Sequence, residues 1–305
     1  MELREGDADT DIGRYFWAFI LFGVALGLFL PAYGLLIKPF VLPLLAVLML
    51  VSSLSISLGK LKQCAKGWRT TLFVLLVQFV LVGAIAYAFK GFFGEEVFLG
   101  LVLIAVAPSA ISLSFFAELF GGSAALALPL TAFSNLSSVV LTPLLVAVFA
   151  GAQVSVNPSG IAQTIALAVL LPFLAAKLVI ARLPALEKPL LAHGLGINTV
   201  IIALLMWGNI APSASFIFAN AQLMLWLAVP AFAFCAVPFA VGWISGKNRE
   251  ERITLGVASS LKNTALAITL ASAFGSAVMA GPVVYTVLSS GLLAAMQLAL
   301  RKRKA

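Results

Sequence analysis

The chain has 305 residues, of which 62% are hydrophobic and 10% charged, with a mean hydropathy of +1.13 and a formal net charge of +8. A domain in water cannot cover itself with so few polar groups, so the composition excludes a soluble globular protein and places the chain in a bilayer. The positive balance does not point to nucleic acid, because no basic patch is interleaved with stacking aromatics.

Residues 1–14, MELREGDADTDIGR, form an acidic tail with no apolar core, unlike a signal or transit peptide. Ten apolar stretches follow, each near the roughly 20 residues that about 30 Å of hydrocarbon requires. In chain order they cover about 15–37, 39–58, 70–90, 96–119, 122–149, 158–181, 192–208, 222–244, 253–275 and 281–300. Long unbroken runs replace the alternation of a barrel, so the expected class is an all-α membrane protein with one transmembrane domain over 15–300. Residues 301–305 close the chain as a basic tail.

Basic residues set the orientation. Lys60, Lys62, Lys66 and Arg69 lie between spans two and three, Arg182 and Lys188 between six and seven, and Lys247, Arg249 and Arg252 between eight and nine. The opposite loops hold almost none, which puts both termini in the cytoplasm and the protein in the cell (inner) membrane. Trp17, Trp68, Trp207, Trp226 and Trp243 fall near span ends, as interfacial anchors do. Cys64 in a cytoplasmic loop and Cys235 within a span are expected reduced and unpaired.

Span four, VFLGLVLIAVAPSAISLSFFAELF, carries Pro108, which breaks the helical hydrogen-bond ladder, and Ser109, Ser112 and Ser114, which can satisfy the freed backbone. Span nine carries Ser259, Ser260, Lys262, Asn263 and Thr264 within six residues. Both interruptions fall near the midplane at 1.5 Å per residue. ELFGGSAALALPLTAFSNLSS (118–138), after span four, echoes SAFGSAVMAGPVVYTVLSSG (272–291), after span nine. An offset of five spans reverses orientation, which is the inverted-repeat plan of secondary transporters with two discontinuous helices meeting at mid-membrane.

Lys262 is the ionisable group that the pattern places in the interior. Asp7, Asp9 and Asp11 lie in the tail, and the glutamates beyond it lie at span ends or in loops. A charge at the bilayer centre costs about 2.5–3.5 kcal/mol on insertion scales. Three roles compete: a structural ammonium held by carbonyls, a built-in substitute for a coupling cation, or a direct partner of an anionic substrate that can also carry a coupled proton.

Several strings resemble the bile acid:sodium symporter (BASS) family: VQFVLVGAIAY in span three, APSAISLS at the first break, GGSAALALPLTAFSNLSSVVLTP in span five and LKNTALAITLA at the second break. The resemblance implies a panel of spans one, two, six and seven, a core of spans three to five and eight to ten, and crossing spans four and nine. Substrate then binds between core and panel and moves by alternating access. One family sodium site maps to Leu113, Ser114, Ala127, Thr131 and Ala258, of which only Ser114 and Thr131 keep side-chain oxygens. The other maps to Gln78 and Lys262 with span-nine carbonyls, and an ammonium replaces a neutral amide there. The family's crevice residues map to Ile111 and Asn263, with Ser109 and Thr264 beside them.

Other signals have ordinary readings: close packing through Gly23 and Gly27, an interfacial His193, a snorkelling Lys177, and Ser137, Ser138 and Gln297 on core helices. An intramembrane hydrolase has only Ser259 or Ser260 with Lys262 to offer, and adjacent helical residues do not face each other. The expectation is therefore a carrier, not an enzyme, for a small organic anion such as a carboxylate or bile-acid-like molecule. It is expected to be sodium-independent through Lys262, with an ordinary sodium symporter as the alternative. The lipid bilayer and the anion are the expected partners, proton coupling stays open, and no cofactor or metal is expected.

Overall fold

The computed structural model describes residues 15–56, 67–151, 157–183, 185 and 187–302. The acidic tail, Lys60, Lys62, Cys64 and Lys66, and residues 303–305 lie outside the described residues. Among the described residues every regular element is helical. These are α1 (Phe16–Phe29), α2 (Pro31–Ile37), α3 (Val41–Leu54), α4 (Trp68–Ala88), α5 (Glu95–Ala105), α6 (Leu113–Leu119) and α7 (Ala124–Ala150). They continue as α8 (Pro158–Arg182), α9 (Glu187–Ile210), α10 (Ala214–Ala219), α11 (Ala221–Ser245), α12 (Arg249–Ser260), α13 (Thr264–Ser272) and α14 (Ser276–Lys302).

Among the described residues seven stretches are long and apolar enough to cross a membrane: Pro31–Leu54, Trp68–Ala88, Ala124–Ala150, Pro158–Arg182, His193–Ala219, Ala221–Ser245 and Ser276–Ala299. The apolar α1 is shorter, and the pairs α5/α6 and α12/α13 are helices interrupted in the middle. Phe29, Leu36, Phe92, Leu225 and Ile244 are each more than 70% exposed. An outer surface of that kind suits hydrocarbon rather than water. The chain is a multi-pass membrane protein.

The first expected span, 15–37, needs correction. Its helix stops at Phe29, and Leu30 leaves helical geometry at φ −126°, ψ 52°. The cause is Pro31, whose ring disfavours the helical conformation of the residue before it. Gly27, Gly34 and Ile37 all meet the 207–211 stretch, so α2 runs across the end of α9 instead of prolonging α1.

The helices pack in two sets joined to each other, α7 meeting α8 and α14 meeting α1. In one, α9 packs against α1 and α3, and α8 against α3. In the other, α5 packs against α4, α7 and α14, while α11 packs against α12 and α14. Glycines allow backbone contact within each group. A methyl added at Gly23 of α1 would stand 2.4 Å from the Ala203 carbonyl oxygen of α9, so this glycine pair serves packing within the chain. One added at Gly100 of α5 would stand 2.0 Å from the Val278 carbonyl oxygen of α14.

Polar side chains bridge helices as well. Half-buried Lys177 donates through Nζ to the carbonyls of Ser53 (2.6 Å) and Ile56 at the end of α3. That is the negative end of the helix dipole. Asn209 of α9 donates through Nδ2 to Thr269 Oγ1 of α13 at 3.1 Å, a buried link between these two helices.

Candidate functional site

The two interruptions form one structure. After α5 the chain leaves the helix at Val106 (φ −98°, ψ 14°) and runs without regular structure through Pro108, and after α12 it is extended at Leu261 (φ −78°, ψ 122°). The two pieces pair as a single antiparallel bridge between Ser109 and Lys262. Ala110 N–H donates to Leu261 O at 3.0 Å, and Asn263 N–H donates to Pro108 O at 2.7 Å. Two broken helices thus satisfy each other's freed backbone groups, which hydrocarbon cannot do. Asn263 also caps α13, its Oδ1 accepting from Leu266 N–H at 3.1 Å.

The side chain of Lys262 runs into the protein and is 3% exposed. Its Nζ donates to three backbone carbonyls: Ala105 at 2.8 Å, Ala107 at 3.3 Å, and Gln78. Ala105 and Ala107 lie at the C-terminal end of α5, where the dipole is negative. Gln78 lies in a π-helical turn of α4, Leu76–Leu81, a local widening of a kind that often marks a functional site. The ring of Phe79 adds a face 5.9 Å from the ammonium. An ammonium has three N–H donors, and all three are used. None remains for a substrate.

A second layer holds this cage. The Gln78 amide donates to Ser109 Oγ and to the Ala258 carbonyl, and its oxygen accepts from Ser134 Oγ at 2.7 Å. Ser134 Oγ in turn accepts from Ser109 N–H at 2.9 Å. Asn135 donates to the carbonyls of Ser109 (3.2 Å) and Thr131 (2.9 Å) and accepts from Asn263 Nδ2 at 3.3 Å. Tyr285 of α14 donates its hydroxyl to Ser260 O at 2.6 Å and accepts from Lys262 N–H at 3.3 Å. The Tyr285→Phe variant removes this bridge and should melt about 2–5 °C lower, from roughly 1–2 kcal/mol for two lost buried hydrogen bonds. An unchanged melting temperature in detergent would show that the hydroxyl carries none of the load at the break.

Beside the crossing lies a cavity of about 330 Å³. Ile111, Ser114, Asn263 and Thr264 line it, as do Ser52 of α3 and Asn198 of α9. Its lining includes Phe16, Ser55, Glu118 and Leu190, so it lies toward the face where α1 begins and α3 ends. Thr264 and Ala265, the first residues of α13, line it, and a helix has no intrahelical acceptors for its first N–H groups.

The remaining sequence-selected residues divide between cage, cavity and packing. Ser109 and Pro108 belong to the bridge, and Ser109 is fully buried away from the cavity wall. Leu113 and Ala127 are fully buried, and Thr131 Oγ1 is committed to the Ala127 carbonyl at 3.0 Å. Ala258 takes part through its carbonyl only. Among the described residues no group of three His, Cys, Asp or Glu could hold a metal. Ser260 Oγ donates to Val257 O at 3.4 Å and Ser259 Oγ has no partner among the described residues, so neither hydroxyl meets the ammonium as a nucleophile would meet its base.

Ser134, Asn135, Tyr285, Ser52 and Asn198 escaped the sequence reading. A signal for Tyr285 existed: it sits in the middle of an apolar run, whereas Tyr15, Tyr33 and Tyr87 are exposed.

The profile of the SBF-like CPA transporter family matches residues 14–299. A Bacillus subtilis (strain 168) protein named YocS, an uncharacterized sodium-dependent transporter, is 23% identical over 281 residues, 88% of this chain and 85% of that protein. A probable chloroplastic sodium/metabolite cotransporter of Oryza sativa subsp. japonica, BASS1, is 29% identical over 191 residues, 60% of this chain and 46% of its own. A second from the same plant, BASS2, is 22% identical over 260 residues, 84% of this chain and 62% of its own.

Proposed function

Because the chain belongs to the SBF-like CPA transporter family, a branch of the BASS transporters, we propose that it carries a small organic anion across the cell membrane without sodium, Lys262 standing in for the coupling cation. It is a membrane transporter and not an enzyme. The proposal gives it ten passes: α1, α3, α4, the pair α5/α6, α7, α8, α9, α11, the pair α12/α13 and α14. The two halves repeat in opposite orientation, and both termini face the cytoplasm. A panel of the first, second, sixth and seventh passes rocks against a core made of the rest, and the cavity between them opens inward.

The observation that carries the sodium-independent reading is the saturated ammonium. Sodium needs several oxygens, and here the carbonyls of Gln78, Ala105 and Ala107 are already bonded to Nζ. A sodium ion brought within about 4 Å of that charge would meet a repulsion of roughly 4 kcal/mol at an effective dielectric of 20. The five side-chain positions of the other family site retain only two side-chain oxygens, on Ser114 and Thr131, fewer than a sodium ion needs. An anion is favoured because the cavity wall carries the N-terminus of α13, and because the net charge built into the core is positive.

The relatives' names favour a second reading, sodium coupling through surviving oxygens. Uptake of labelled organic acids into liposomes containing the purified protein separates the two. Equal uptake in sodium chloride and choline chloride is expected, and uptake that requires sodium defeats the proposal.

A further inference from the structure

One residue that lines the cavity carries a buried polar atom without a partner among the described residues. Asn198 of α9 is 8% exposed, and its Nδ2 donates to Ser52 Oγ of α3 at 2.9 Å. The Ser52 hydroxyl gives its one proton to Leu48 O at 2.8 Å, so toward Asn198 it can only accept. This orients the amide: nitrogen to Ser52, oxygen elsewhere. That oxygen, Asn198 Oδ1, is buried and has no hydrogen-bond partner among the described residues.

A buried acceptor without a donor is unfavourable, and natural proteins keep few of them without a reason. Both Ser52 and Asn198 border the same cavity as Asn263 and Thr264. As it stands the oxygen is sealed from the lumen, and the broad torsion of an asparagine amide allows it to turn there. The lining then offers opposite chemistry: amide donors at the start of α13, and a carbonyl-type acceptor on α9.

We infer that Asn198 Oδ1 is a specificity contact for the substrate, accepting a hydrogen bond from a hydroxyl or amine on a small carboxylate whose acid group sits at the N-terminus of α13. The inference rests on the anion-carrier reading and narrows it to hydroxy- or amino-substituted acids. Ser52 is a positioning residue that holds the amide in register. The cavity is at the small end for a ligand site, which fits an acid of a few carbons better than a sterol.

The test uses the full chain in detergent with choline chloride, titrating matched acids and reading thermal stabilisation: malate against succinate, and 3-hydroxybutyrate against butyrate. The hydroxylated member of a pair is expected to act at about tenfold lower concentration on wild type, since a site built around a hydroxyl rejects the analogue lacking it. Asn198→Ala removes that difference, and Ser52→Ala narrows it. Wild type that treats the pairs alike overturns the inference and leaves the anion carrier standing, as does a folded Asn198→Ala that keeps the preference. Should Asn198→Ala not fold, Ser52→Ala decides: an undiminished preference overturns it. Absence of stabilisation by any of the four acids defeats the carboxylate reading and this inference together.

Discussion

Replacing Lys262 by glutamine should give a protein that melts higher in sodium chloride than in choline chloride, whereas wild type melts equally in both. The ammonium occupies a cage of three carbonyls. A glutamine is shorter and neutral, so the cage becomes a set of oxygens around a space with no charge in it. Sodium at ten times its dissociation constant would then add about 1.4 kcal/mol of stability. Lys262→Met is the harsher variant. It leaves buried carbonyls with no donor, each costing roughly 1–3 kcal/mol, and should lower folded yield severely. Sodium-dependent melting of wild type would refute the surrogate role. A glutamine variant indifferent to sodium would show that the cage is not a cation site.

The second large effect is expected far from any ligand. Gly100→Ala should destabilise the core by about 3 kcal/mol or abolish folding, at the upper end of overpacking effects. The added methyl would lie 2.0 Å from the Val278 carbonyl oxygen, and a backbone atom of α14 cannot rotate aside as a side chain could. Gly91 has open space around its position and serves as the control. Size-exclusion profiles and melting curves of the two alanine variants should differ sharply. If Gly100→Ala behaves like Gly91→Ala, the close approach of α5 and α14 is not as described.

Much of this site was legible because polar letters stand out in an apolar text. Pro108, Lys262 and Asn263 announced themselves, and the structure brings them together at one bridge. What Lys262 touches was not legible, since its three acceptors are backbone carbonyls and every residue has one. No side chain at Ala105 or Ala107 signals that its oxygen is taken. The π turn that includes Gln78 is equally silent, because LVQFVL is an ordinary apolar run. Asn198 was missed for a different reason. A polar residue near the start of a span reads as interfacial, and only its packing on Ser52 reveals it as buried. The length of the first span was over-read because hydropathy does not register a change of direction. Pro31 was the available clue.

The cage also bears on how the chain can be built. Gln78, Ala105 and Ala107 precede Lys262 by 184, 157 and 155 residues, so they leave the ribosome long before it does. A span with a lysine at its centre is a poor substrate for insertion into bare lipid. By the time this one emerges, its acceptors already exist in the membrane, and Tyr285 follows 23 residues later to tie the break from the other side. Order of synthesis therefore does for Lys262 what a neighbouring carboxylate does for other buried cations: the partner is waiting before the charge arrives.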